Sequence, residues 1–216
     1  MSLSYEVLPV GSLQCNCVIL YDNKEKSGII FDPGEESSMI LDKIKELSLK
    51  IKAIIHTHAH FDHVMASEVV LQNSGANIPV YLHPEDNFLW EKLNTQAESF
   101  GINASANLPE ITAWLEDGKT IKLGSQEIKV IHTPGHSPGS CCFFIENDNN
   151  PILISGDTVF YGSIGRTDLW GGDMTQILNS IQSKILTLPD STKIIPGHGP
   201  STQVGEEKKH NPFFTG

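Results

Sequence analysis

The opening third of the chain is patterned as strands. Residues 5–10 alternate apolar and polar, 15–21 form an apolar run with β-branched content, and 28–31 form a short buried run that stops at Asp32-Pro33-Gly34. From 36 to 47 the period changes: Met39, Ile40, Ile44 and Leu47 recur at helical spacing. A compact strand at 52–55 then feeds straight into a histidine-rich loop. A helix over 64–71, a short strand at 79–82 and a helix over 85–93 are predicted next. Residues 95–109 are polar, with Asn, Ser and Ala repeated, and predict an irregular surface excursion near 95–118, a candidate lid.

Strands resume at 120–123, 128–132, 140–145 and 152–155. An amphipathic helix over 175–186, a strand at 193–195 and a helical tail from Val204 complete the pattern. A β-rich stretch carrying a few helices thus occurs twice, near 1–94 and 119–210, without any repeat of residues. Two sheets packed face to face, with helices on the outer faces, bury such strands on both sides. No linker rich in Pro, Gly or Ser separates the halves, so one domain over 1–216 is expected.

Composition narrows the function classes. The 216 residues are 39% hydrophobic and 19% charged, which excludes a disordered, collagen-like or coiled-coil chain. A net charge of −11 argues against a nucleic-acid partner. No run of 18 apolar residues is present, so no membrane span is expected. The N-terminus carries no basic leader followed by an apolar run, and a cytoplasmic location is the expectation. The four cysteines fall as Cys15-Asn16-Cys17 and Cys141-Cys142, which predicts buried thiols in strands rather than disulfides.

The chemistry is concentrated after the 52–55 strand. Nine histidines spread evenly would place about 0.3 in any eight residues, yet residues 56–63 hold His56, His58, His60 and His63, with Asp62 among them. Alternate residues of an extended chain point the same way, so His58 and His60 can converge on one ion while Asp62 and His63 turn toward a second. Imidazole with carboxylate, and no thiolate, suits zinc, iron or manganese in a site that is not purely structural. One loop cannot fill two coordination shells. His136, Asp157 and His198 each follow an apolar run and are flanked by Gly or Pro, so they are the further candidates, and strands pointing the same way would bring them together.

The ordered set His58-x-His60-x-Asp62-His63, then His136, Gly156-Asp157-Thr158 and Pro196-Gly197-His198-Gly199, resembles the metallo-β-lactamase superfamily over nearly the whole chain. Within it, the stretch from Phe160 to Leu169 and the ending Gly205-Glu206 through Asn211-Pro212-Phe213 are similar to short glyoxalase II-like hydrolases. The resemblance implies a four-layer αββα sandwich with a dinuclear site at one edge. His58, His60 and His136 would hold one divalent ion and Asp62, His63 and His198 the other, with Asp157 bridging. Zinc is the expected metal, with iron or manganese as alternatives. The implied reaction is hydrolysis of a thioester such as an S-2-hydroxyacyl glutathione by a metal-bound hydroxide that Asp62 orients. A thiolate leaves without a dedicated acid because its pKa is ~8.5. Tyr161 and Arg166 are the expected substrate contacts, with anchoring of its own loop as the other role for Arg166.

Longer glyoxalase II enzymes carry a helical domain whose basic residues hold the glutathione tail. This chain ends at Gly216, so that mode of recognition is not expected. A persulfide dioxygenase of the same superfamily, with a single iron, is the alternative activity. The Gly165-Arg166-Thr167-Asp168 string fits it too, while Pro196-Gly197-His198-Gly199 leans toward the hydrolases. Among the other residues, His56 and His132 are expected in the core or orienting ligands, and His83 and His210 in solvent. Trp90, Trp114 and Trp170 are expected in packing, and Glu206-Glu207-Lys208-Lys209 on a solvated helix face.

Overall fold

A computed structural model describes residues 3–75, 77–102, 106–146 and 150–215. The chain forms two compact units: one runs to Trp114 and includes Leu123–Gln126, and the other comprises Leu115–Lys122 and everything from Glu127 onward.

The first unit is built on six strands in the order β1 (Ser4–Val10), β2 (Cys15–Asp22), β3 (Ser27–Phe31), β4 (Lys50–Ile55), β5 (Val80–Leu82) and β6 (Ala113–Trp114). The first three pair antiparallel, and β3 through β6 pair parallel. Every residue of β2 is buried, as befits an internal strand that reads as a continuous apolar run rather than an alternation. Helix α1 (Ser37–Glu46) buries Ile40 and Ile44, one turn apart, in a cluster with Val10, Ile19, Ile30 and Ile54. Burying each such isoleucine stabilises the fold by roughly 1.5–3 kcal/mol. Because β3 and β4 are parallel, with Phe31 opposite Ile55, Asp32 and the 56–63 loop leave the sheet at the same edge.

The second sheet involves β7 (Thr120–Leu123), β8 (Gln126–His132), β9 (Cys141–Ile145), β10 (Ile152–Gly156), β13 (Lys193–Pro196) and β14 (Thr202–Gln203). A small hairpin of β11 (Val159–Phe160) and β12 (Ser163–Ile164) follows β10. Strand β9 is antiparallel to both β8 and β10, and β13 is parallel to β10. Therefore β8, β10 and β13 run the same way, and the loops bearing His136, Asp157 and His198 emerge at one edge, as strand direction had to provide. Ile177, Ile181 and Ile185, at four-residue spacing, pack with Ile131, Leu153 and Ile194.

Three local expectations change. The helix expected at 64–71 becomes a 3₁₀ turn at Phe61–His63 followed by α2 (Ser67–Ser74), because Ala66 N–H donates to the carbonyls of Pro33 and Gly34 and holds the intervening residues out of the helix. The excursion near 95–118 is partly regular: α3 (Asn87–Glu91) is followed by α4 (Leu93–Ser99), and Ala113–Trp114 is a strand, while residues 103–105 lie outside the described set. The helix expected at 175–186 divides into α5 (Met174–Ser180) and a π turn, Ile181–Ile185. The last helix is α6 (Val204–His210). All four cysteines are buried free thiols, as expected. Among the described residues no helix is long and apolar enough to cross a membrane.

Candidate metal centre

In the first unit the ligand loop is organised by Asp32. This residue sits in the left-handed region, φ +49°, which Asp tolerates better than most side chains. Its carboxylate is 2% exposed and accepts from Thr57 N–H at 2.7 Å, from Thr57 Oγ1 at 2.7 Å and from His63 Nδ1 at 3.0 Å. Because the Thr57 hydroxyl proton goes to Asp32, its oxygen accepts from His58 Nδ1 at 3.0 Å. A carboxylate only accepts, so His63 also carries its proton on Nδ1. One buried anion thus fixes the tautomers of two imidazoles and leaves the lone pair of each on Nε2, where it could meet an ion.

The rings of His58 and His60 lie 4.7 Å apart and nearly perpendicular, those of His58 and His63 4.1 Å apart, and Asp62 Oδ2 lies 3.7 Å from His63 Nε2. Ligating atoms of Asp32, His58 and His63 all fall within 4.8 Å of one another. Asp32 accepts from three donors here, so its carboxylate holds Thr57 and His63 in place. Gly34 fits here because a Cβ at that position would stand 1.8 Å from the Asp62 carbonyl oxygen. The Cys15 thiol contacts His63, and burial pushes it up to about 12, so it remains a neutral thiol.

In the second unit, His136 Nδ1 donates to the Arg166 carbonyl at 2.8 Å, which again places the lone pair on Nε2. Asp157 Oδ2 lies 3.4 Å from His136 Nε2 and 3.7 Å from His198 Nε2. These spacings exceed a good hydrogen bond. They approximate the edge of a tetrahedral shell, where ligands at about 2.0–2.2 Å from an ion stand roughly 3.3–3.6 Å apart. A Cβ at Gly165 would meet the Asp157 carbonyl at 1.8 Å, as Gly34 would meet that of Asp62. Thr133 and Thr158 join the His136 and Asp157 loops through their hydroxyls at 2.9 Å.

Each unit therefore gathers its own sequence-predicted ligands: His58, His60, Asp62 and His63 in the first, and His136, Asp157 and His198 in the second. The donor set and the three assigned tautomers fit divalent ions bound through Nε2 and carboxylate oxygen. Arg166 contributes its backbone carbonyl, while its guanidinium is paired to Asp168 through two hydrogen bonds of 2.7 and 2.8 Å. Tyr161 is 67% exposed at the hairpin tip. His56 is fully buried against Trp90 and bonded to Ser67, and burial lowers it to about 4. His132 Nε2 donates to the Pro138 carbonyl.

Two solvated readings are corrected. His83 is buried at the end of β5, where its Nδ1 accepts from Glu85 N–H. Glu207 is also buried and accepts from Thr202 Oγ1, Asn211 Nδ2 and Gly162 N–H, which together offset its desolvation. His210 and Glu206 remain at the surface. Asp32 is the residue of this candidate site that the motif missed. The available signal was an acidic residue directly after a buried strand, in Asp-Pro-Gly.

A family model described as metallo-beta-lactamase superfamily matches residues 10–198. The hydroxyacylglutathione hydrolase GloC of Haemophilus influenzae is 39% identical, with 98% of each chain covered. The crystal structure of BLEG-1 B3 metallo-beta-lactamase is 40% identical with a TM-score of 0.89, over 99% of this chain and 100% of that one. A protein crystallised in a di-iron-bound form, TTHA1623, is 35% identical with a TM-score of 0.85, over 96% and 99%.

Proposed function

From the premise that the chain belongs to the metallo-β-lactamase superfamily and is a metal-dependent hydrolase of that fold, we propose that it cleaves thioesters, with S-2-hydroxyacyl glutathiones as the model substrates. The observation that carries the metal side of the reading is the fixing of three tautomers, His58, His63 and His136 each committing Nδ1–H to a protein acceptor, while the likeness to GloC supports the substrate side. Such partners orient metal-ligating histidines and raise their basicity.

In this reading His58, His60, Asp62 and His63 of the first unit, and His136, Asp157 and His198 of the second, would be the residues that hold divalent ions. When bound, two divalent ions supply Lewis acidity that brings a water's pKa toward about 7 and stabilises charge on a carbonyl oxygen. Asp62 accepts a hydrogen bond from the attacking water and aims it at the acyl carbon. Asp32 and Thr57 hold the imidazoles still, so little reorganisation is needed as charge develops. No residue needs to protonate the departing thiolate. Arg166 acts as a loop anchor through its carbonyl, and the Tyr161 hydroxyl is presented to substrate. GloC supports the thioester class, and the di-iron form of TTHA1623 supports iron beside zinc as the resident metal.

Metal analysis combined with turnover of S-lactoylglutathione, other acyl thioesters, a β-lactam and glutathione persulfide tests the proposal. Two ions per chain and selective thioester hydrolysis are expected, with His58→Ala and Asp157→Ala abolishing turnover in folded protein. Full activity in Asp157→Ala removes Asp157 from the set of residues that would hold metal. A single iron with oxygen uptake on the persulfide replaces the proposal with the dioxygenase, and preference for the β-lactam replaces the substrate class.

A further inference from the structure

The hexapeptide from His58 to His63 has two residues that are not ligand candidates, Ala59 and Phe61, and the α3–α4 segment grips both. Ala59 N–H donates to Asp86 Oδ2 at 2.9 Å, and the Ala59 carbonyl accepts from Gln96 Nε2 at 3.0 Å. The same Gln96 nitrogen donates to the Leu89 carbonyl at 2.7 Å, so one side-chain amide ties the loop to the middle of α3. Asp86, Gln96 and Ala59 are all essentially without solvent exposure. Beyond the last turn of α4, the Phe100 ring stacks at 5.2 Å and 42° on Phe61, between His60 and Asp62.

Both peptide planes that join Ala59 to its neighbours are thereby fixed. The N–H belongs to the plane shared with His58 and the carbonyl to the plane shared with His60. Rotation of either plane would redirect one imidazole relative to the other, and no regular secondary structure at 58–60 opposes that rotation. The chain spends a buried carboxylate and a buried amide on one alanine, although alanine offers nothing but its backbone.

We propose that Asp86 and Gln96 are positioning residues that set the relative directions of His58 and His60, making the α3–α4 segment the template on which the ligand loop acquires its metal-binding shape. This inference rests on the reading of the loop as a metal site. It adds that metal affinity is set by a helical segment contributing no ligand.

The test uses the full chain stripped of metal, with Zn²⁺ affinity read by chelator competition, ligand geometry by the Co²⁺ absorption spectrum, and the melting temperature of the metal-free protein as a control. Gln96→Met keeps the volume and removes both donors. Asp86→Ala removes the acceptor, while Asp86→Asn retains an oxygen for Ala59 N–H. Gln96→Met and Asp86→Ala are expected to weaken Zn²⁺ binding about tenfold or more and to alter the Co²⁺ spectrum, as losses of ligand-orienting partners do. Asp86→Asn is expected to stay within about twofold of wild type, and the two Asp86 variants decide the matter if Gln96→Met does not fold. Wild-type affinity and spectrum in Gln96→Met and Asp86→Ala overturn the proposal, even if their metal-free melting temperatures fall, because that pattern is plain structural support. A wild-type chain that takes up no Zn²⁺ or Co²⁺ overturns the metal reading itself, a result distinct from variants that merely match wild type.

Discussion

Asp32 binds Thr57 and His63 across 25 and 31 positions of chain, and through Thr57 it reaches His58. Removing its carboxylate frees two imidazoles at once. Asp32→Ala is expected to lower zinc affinity by roughly 10–100-fold and turnover at least in proportion, measured by chelator competition and thioester assay. The four motif residues of the 58–63 loop were legible because their spacing is local. Asp32 was not, because its partners arrive only when β3 and β4 align in parallel. Cys142 carries a pH prediction. Burial pushes its thiol up to about 11 from an ordinary 9.0. The unfolded chain releases that proton first, so this contribution to stability is intact below pH 9 and declines as pH rises toward 11. The gap in urea midpoint between wild type and Cys142→Ala should narrow or change sign over that window. In the native state Cys142 should resist alkylation at pH 8 and react only after unfolding.

Elements show where local propensity is overruled. Residues 95–99 are polar, yet they complete α4, because Gln96 finds two buried carbonyls and Phe100 finds Phe61. Polarity marks a loop only when the polar groups are left to water. Glu207 on α6 makes the same point within a run of four charges. Its carboxylate holds Thr202, Asn211 and the Gly162 amide, so α6 is fastened to the hairpin that follows Asp157. Glu207→Ala leaves three donors without their acceptor and is expected to cost roughly 2–4 kcal/mol of unfolding free energy, read from urea titration. Glu206→Ala, on the exposed face, should change it by less than about 0.5 kcal/mol.

At the scale of the whole chain, the longer strands of both sheets followed from runs and alternation while the two-residue strands β6 and β14 did not, and strand direction then accounted for where the candidate ligands emerge. The metal should also act as a folding ligand. Zinc at about 100 times its dissociation constant adds roughly 2.7 kcal/mol, a rise of about 5–11 °C in melting temperature for a chain of this size, and EDTA should reverse it. A chain of net charge −11 should show no retention on heparin.

Gly34 and Gly165 lie flat against the carbonyl oxygens of Asp62 and Asp157. Neither position has room for even a methyl group, so the backbone there is closed to neutral drift. A saturation library meant to broaden substrate range should leave both codons untouched and spend its diversity on the tip around Tyr161, where solvent rather than a neighbouring peptide sets the boundary.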